Sequence, residues 1–190
     1  MPRTLDDATW PLRTERLTIR RATPSDADVV WGYRHLEPVS RYMTRLPGSL
    51  EEFRESFSEA DRLGVTLIVE RDGQVVGDLM VRLQDAWAQT EVAEQAKGTQ
   101  AELGWAFDPA HHGNGYATEA VREMLRLSFE DLGLHRVEAL CFAANEPSWR
   151  LMERLGMRRE THAVAESLHR SGEWMDGLGY AMLDREWSQA

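Results

Sequence analysis

A chain of 190 residues is long enough for one domain with a core of its own and too short for two comfortable ones. With 42% hydrophobic and 28% charged residues, no apolar run of about 18 residues and no apolar stretch in the opening "MPRTLDDATWPLRTERL", the composition is that of a soluble globular chain, and neither a membrane span nor a signal peptide is expected. The formal charge of -10 argues against nucleic acid as a partner, and the single cysteine, Cys141, excludes an internal disulfide framework and fits a reducing cytoplasm.

In chain order, "ERLTIRRA" alternates and predicts a first strand. "TPSDADVVWGYRHL" predicts a helix, with Thr23 as cap, Pro24 in the first turn and Asp26 near the positive helix end. "SLEEFRESFSEADRLG" predicts a second helix, opened by Ser49 and Glu52 as a capping box and stopped by Gly64. In "TLIVERDGQVVGDLMVRL", Asp72-Gly73 between two β-rich runs predicts a hairpin. The polar "QDAWAQTEVAEQAKGTQ" reads as a long loop with room for a short helix. "AELGWAFD" alternates, with Ala101, Leu103, Trp105 and Phe107 on one face. After a glycine-bearing stretch, a helix with Val121, Met124, Leu125 and Phe129 near one face runs to Gly133. "HRVEALCFA" predicts a strand, "NEPSWRLMERLG" a short helix capped by Asn145, and "MRRETHAVAE" and "DGLGYAMLDREW" two closing strands around the loop "SLHRSGEWM". The order β-α-α-β-β-β-α-β-α-β-β has a single β-α-β unit among antiparallel strands. It predicts an α+β fold with a mixed, mostly antiparallel twisted sheet flanked by about four helices, in a single domain over residues 1–190.

The stretch "FDPAHHGNGYATEA", Phe107 to Ala120, carries the chemistry. No lysine follows Gly115, so it is not a Walker loop. Gly113-x-Gly115-x-x-Thr118 lacks the third glycine of a dinucleotide fingerprint, and the acids about 20 residues on, Asp131 and Glu138, fall at a helix end and inside a strand. Two readings remain open from the glycines alone. They serve a tight turn, or they let an anion approach the unpartnered amides at the start of the following helix.

His112-Gly113-Asn114-Gly115-Tyr116-Ala117 resembles the Gln/Arg-x-x-Gly-x-Gly/Ala signature of the GNAT acetyl-coenzyme A-dependent N-acetyltransferases. "HRVEALCFAANEPSWRLMERLGMRRE", with its Asn-x-x-Ser followed by "RLMERLGM", is similar to the branch that includes ribosomal-protein N-terminal alanine and serine acetyltransferases. "ERLTIRRATPSDAD" and "GEWMDGLGYAMLDREW" resemble that branch's opening and ending. The resemblance spans about Leu12 to Trp187 and leaves only the loop from Trp87 to Gln100 without a counterpart.

The resemblance implies an acetyl-CoA co-substrate. The backbone of Trp105, Ala106 and Phe107 would pair with the pantetheine amides, and the amides of Gly113, Asn114, Gly115, Tyr116, Ala117 and Thr118 would hold the diphosphate. Asn145 would hold pantetheine by its side-chain amide. His112 departs from the family, which usually has Gln or Arg there; imidazole still donates a hydrogen bond, and gains charge if phosphate raises its pKa. Adjacent His111 and His112 lack nearby acids or cysteines, so no metal is expected.

Direct attack of an amine on the thioester needs a base, for which Glu102 is favoured with Glu138 and Asp176 as rivals. It also needs an acid near sulfur, for which Ser148 is favoured with Tyr180 as the alternative phenol. Cys141 reads as a small core residue. Arg150 and Arg154 meet either the anionic cofactor or surface carboxylates, and Trp31, Tyr33 and Trp174 line either the acceptor pocket or the core. The expected function is acetyl transfer from acetyl-CoA to a primary amine, on a protein N-terminus or a small molecule, by a cytoplasmic monomer or homodimer. The alternative is a non-catalytic acyl-CoA-binding module.

Overall fold

The computed structural model describes residues 4–188. After a short 3-10 turn at Leu5–Asp7 come strands β1 (Leu12–Arg13) and β2 (Thr18–Arg21), then helices α1 (Ala27–Arg34), α2 (Glu37–Ser40), α3 (Leu50–Phe57) and α4 (Ala60–Leu63). Strands β3 (Thr66–Arg71) and β4 (Gln74–Gln84), helix α5 (Ala93–Ala96), strand β5 (Gln100–Phe107) and helix α6 (Tyr116–Arg126) follow. The chain closes with β6 (Arg136–Phe142), α7 (Glu146–Arg154), β7 (Arg158–Leu168), β8 (Trp174–Leu183) and α8 (Asp184–Trp187). The eight strands hydrogen-bond in the order β1-β2-β3-β4-β5-β6-β8-β7. β5 and β6 are parallel around α6, whereas β1 with β2, β2 with β3, β3 with β4, β6 with β8 and β8 with β7 are antiparallel. This is the expected mixed α+β layout. Four helices, α1, α3, α6 and α7, have eight or more residues.

Contacts divide the chain into two compact units, one of residues 4–8, 82–104 and 124–188, the other of Thr9–Val81 and Trp105–Glu123. In the second unit β1 to β4 form a meander, with Leu12↔Ile19, Ile19↔Val69 and Leu67↔Leu79 in register. Ala27, Val30, Tyr33, Phe53, Phe57, Ile68 and Ala106 make its core. Thr23 stands at the N-cap position but its side chain makes no capping hydrogen bond; instead its amide and hydroxyl donate to the Asp26 carboxylate at 2.8 and 2.9 Å, and Arg20 clamps the same carboxylate at 2.7 and 2.9 Å. Ser49 caps α3 by accepting from Glu52 N at 3.1 Å, while the Glu52 carboxylate accepts from Gly48 N, so only half of the expected capping box forms. In the other unit, Val137, Ala139, Leu151, Met152, Leu155, Leu178, Tyr180 and Met182 are buried, and β8 pairs with β6 and β7 from Leu178↔Cys141 and Leu178↔His162 outward.

Several expectations are corrected. Strand β1 precedes the predicted first strand and has only two residues. Each predicted N-terminal helix is followed by a separate turn of helix: α2 begins with Pro38 in its first turn, and extended backbone at Glu59 (ψ 135°) parts α3 from α4. The loop before β5 does hold the short helix it had room for, α5, and is tied across its base by Ala86 N to Ala96 O at 2.9 Å and Gly98 N to Asp85 Oδ1 at 2.8 Å. The predicted "SLHRSGEWM" loop shortens to residues 169–173, because β7 runs to Leu168 and β8 starts at Trp174. The terminal "DREW" is helical, with Glu186 accepting from Leu183 N at 2.8 Å.

Candidate active site

In the unit built from Thr9–Val81 and Trp105–Glu123, β5 delivers Trp105, Ala106 and Phe107 to the glycine stretch. Asp108 N donates to Val76 O at 3.0 Å, and the Asp108 carboxylate caps the short turn Pro109–His111 through Ala110 N at 2.9 Å. His112 is extended, and its ring Nε2 lies 3.2 Å from Phe107 O. A carbonyl only accepts, so Nε2 carries the hydrogen and Nδ1 is the nitrogen left over.

Gly113 and Gly115 sit at φ 78° and 80°, in the left-handed region where a side chain is strained. A Cβ built on Gly113 meets nothing within 4 Å, so the space beside that residue is open. Between the glycines, Asn114 turns its side chain back, donating from Nδ2 to His111 O and His112 O at 3.1 Å each. α6 starts at Tyr116, and Glu119 N returns to Gly115 O at 3.0 Å. Amides in the first turn of a helix have no partner four residues back, and the helix dipole adds partial positive charge there. One conformation is compatible with the turn reading and with the cradle reading.

Sequence reasoning missed the residue that braces this loop. Arg16 donates from Nε to Glu119 Oε2 at 2.7 Å and from Nη1 to Asn114 O at 2.9 Å, and lies 5.0 Å from the centre of the buried Tyr116 ring. Glu119 Oε1 accepts from Thr14 Oγ1 at 2.5 Å and Arg16 N at 2.9 Å. Burial raises the Glu119 pKa, but the bonds from Thr14 and Arg16 outweigh it and hold the carboxyl below its ordinary range. Arg16 and Glu119 are 103 residues apart, and no local pattern announces them.

In the other unit, Glu102 stands on β5 in register with Glu138 on β6. Arg82 Nη1 and Gln84 Nε2 both donate to Glu102 Oε2 at 3.1 Å; among the described residues its Oε1 has no hydrogen-bond partner. Glu138 is held by Arg136 at 3.3 Å. Asp176 accepts from Ala165 N at 2.9 Å and lies 2.7 Å from His162 Nε2, and these two bonds lower its pKa. Like Glu102, both rivals hold cationic or amide partners.

β6 ends in a turn in which Asn145 N donates to Phe142 O at 2.9 Å, and α7 begins there. Asn145 occupies the N-cap position, yet its side chain makes no capping hydrogen bond, so the plain-cap explanation does not account for it. Ser148, half-buried in the first turn, has its amide on Asn145 O at 3.1 Å, and its hydroxyl has no hydrogen-bond partner among the described residues. Tyr180 is fully engaged: its hydroxyl donates to Glu153 at 2.7 Å and accepts from Arg159 Nε at 2.8 Å. Burial of Cys141 pushes its thiol up to about 11, which leaves it protonated and inert at neutral pH.

The remaining aromatic and basic candidates divide. Tyr33 is core, donating to the buried Asp78 carboxylate at 2.6 Å, and Trp31 stacks on His35. Trp174 is 63% exposed. Arg150 pairs with Glu146 one turn away at 2.9 Å, the surface alternative. Among the described residues, no group of three or more His, Cys, Asp or Glu is placed to hold a metal, and no helix is long and apolar enough to cross a membrane.

Comparison with known proteins points to one family. The acetyltransferase (GNAT) domain family matches residues 16–158. The uncharacterized N-acetyltransferase YnaD of Bacillus subtilis is 30% identical over 178 residues, covering 93% of this chain and 99% of its own. YdaF of the same organism, provisionally named a ribosomal N-acetyltransferase, is 28% identical and is covered over 94% of its length by 91% of this chain. The crystal structure of a GNAT-family acetyltransferase from Bacillus anthracis superposes with a TM-score of 0.78 at 30% identity, over 93% of this chain and 99% of that one.

Proposed function

The chain belongs to the GNAT acetyltransferase family, and on that premise we propose that it transfers the acetyl group of acetyl-CoA to a primary amine, the whole chain acting as one N-acetyltransferase domain. The observation that carries this reading is the left-handed glycine pair opening the eleven-residue helix α6. It supports a diphosphate held by the amides of Gly113 to Thr118, with no lysine needed. The open space beside Gly113 fits a bulky anion. The backbone of Trp105, Ala106 and Phe107 pairs with pantetheine amides, and Asn145, with its side chain outside the helix cap, supplies a further amide.

Glu102 takes the amine proton through Oε1, the oxygen that Arg82 and Gln84 leave unbonded. The freed lone pair forms the C–N bond as the C–S bond breaks and its electrons go to sulfur; the nitrogen then loses its second proton to solvent, and Glu102 releases the first one there too. Ser148 gives the thiolate a proton and regains one from solvent, so the products are an amide and CoA thiol. The acceptor is the N-terminal amine of a protein or a small amine; the relative YdaF carries the name of a ribosomal N-acetyltransferase. A net charge of -10 favours cationic acceptors. The inert, unpaired Cys141 supports a reducing, cytoplasmic setting.

Calorimetric titration with acetyl-CoA, ATP and NAD tests the cradle, and binding of acetyl-CoA alone is the expected result. Thiol release from acetyl-CoA is then followed across N-terminal peptides and small amines. Tight acetyl-CoA binding with no turnover on any amine would sink the transfer reading.

A further inference from the structure

Resting on the acetyl-CoA reading, we propose that Arg16 is a positioning residue of the glycine loop, which aims the Gly115 amide at the diphosphate by holding the Asn114 carbonyl. A peptide group is planar and trans, so its C=O and N–H point to opposite sides. Arg16 Nη1 grips Asn114 O at 2.9 Å, and the N–H of the same peptide, that of Gly115, is thereby turned the other way. The device recurs two residues earlier, where Asn114 Nδ2 holds His112 O at 3.1 Å and so turns the Gly113 N–H. Both aimed amides belong to glycines, whose peptide planes are the freest to rotate. An external grip is what such a loop lacks on its own.

The guanidinium that makes the grip is itself fixed. Nε and Nη2 both reach Glu119 Oε2 at 2.7 Å, and the group lies over the Tyr116 ring. Glu119 is held in turn by Thr14 and by the Arg16 amide. The Arg16–Glu119 pair neutralises its own charge, so Arg16 acts through the loop backbone and is not the counter-ion of the phosphate. An ion pair that served only the fold would have no use for the third arm on a loop carbonyl. The fork is essential: a lysine offers one point charge and cannot hold Glu119 and Asn114 O together.

Arg16→Lys, Arg16→Ala and Glu119→Gln are compared with the wild type by calorimetric titration with CoA. Kinetics use the amine that the wild type turns over fastest, with acetyl-CoA or S-acetylpantetheine, which lacks the diphosphate, as donor. The CoA Kd rises about tenfold in Arg16→Ala and in Arg16→Lys, with kcat at saturating acetyl-CoA within about twofold. The ratio of kcat/KM for acetyl-CoA to that for S-acetylpantetheine falls by a similar factor. Should Arg16→Ala not fold, Arg16→Lys and Glu119→Gln carry the same comparison. Unchanged CoA affinity in the folded variants, or equal losses on both donors, overturns the inference alone. A wild type that binds no CoA overturns it together with the acetyl-CoA reading.

Discussion

Ser148 and Tyr180 carry the same kind of group, a hydroxyl with a proton to give, in opposite surroundings. The Ser148 hydroxyl has no hydrogen-bond partner among the described residues, whereas the Tyr180 hydroxyl is locked between Glu153 and Arg159. Burial, and then the Glu153 carboxylate, push the Tyr180 pKa above its ordinary value, away from that of a working acid. Ser148→Ala should therefore lower kcat by about 10²-fold or more while CoA affinity, read by calorimetry, stays within about twofold. Tyr180→Phe should leave kcat within about twofold and lose about 1 kcal/mol in urea denaturation. A larger drop in kcat from Tyr180→Phe than from Ser148→Ala would reverse the assignment. Of these two fates, the sequence showed the tyrosine in a closing strand and the serine in Asn-x-x-Ser. What each hydroxyl touches depends on neighbours far along the chain: Glu153 lies 27 residues from Tyr180.

At the scale of elements, legibility follows how local the cue is. The β3–β4 hairpin was visible as Asp72-Gly73, and both residues have positive φ, 50° and 79°, as the mirror-image two-residue turn requires. A Cβ on Gly73 meets nothing within 4 Å, so Gly73→Ala meets only the backbone penalty, about 1–2 kcal/mol in urea denaturation, with CoA affinity unchanged. A wild-type urea midpoint in this variant would mean the turn is not held in that conformation. β5, α6, β6 and α7 were legible for the same reason: alternation, glycine stops and the Asn145 start signal act over a few residues. β1 was not, because two residues carry no period and pair with β2 only through the fold. The break between α3 and α4 was not, because neither Ser58 nor Glu59 is a helix breaker by type. "DREW" reads as strand in sequence because it continues the β8 pattern, whereas the Glu186 bond back to Leu183 N turns it into α8.

At the scale of the whole molecule, charge is plain from composition alone and acquires its structural meaning only through the fold. The excess of acids, formal charge -10, is distributed over carboxylates that the fold holds against arginines and amides. Asp26, Asp28, Glu37, Glu119, Glu153, Glu160 and Asp176 all have pKa values below their ordinary ones. For Asp26 the largest single influence, burial, acts upward, and the bonds from Arg20 and Thr23 overcome it. For each of these groups the unfolded chain binds a proton at higher pH than the folded one, so stability rises with pH across the interval between the two values. Their contribution is complete above the ordinary carboxylate range, about 4, and is lost as pH falls through the depressed folded values. Self-repulsion of the negative charge acts the other way and eases as pH falls from about 7 to about 5. The thermal midpoint should hold level or rise slightly over that interval and fall below about pH 4, by about 2–4 °C for each kcal/mol lost in a chain of this length. Asp26→Asn should lower the midpoint at neutral pH, where the Arg20 clamp on a largely buried carboxylate is lost, and should show a shallower acid fall than the wild type. Scanning calorimetry of both proteins from about pH 3 to about pH 8 at fixed ionic strength decides it. A wild-type midpoint that keeps rising below about pH 4, or an Asp26→Asn curve parallel to the wild type throughout, would show that the acid sensitivity lies elsewhere than in these paired carboxylates.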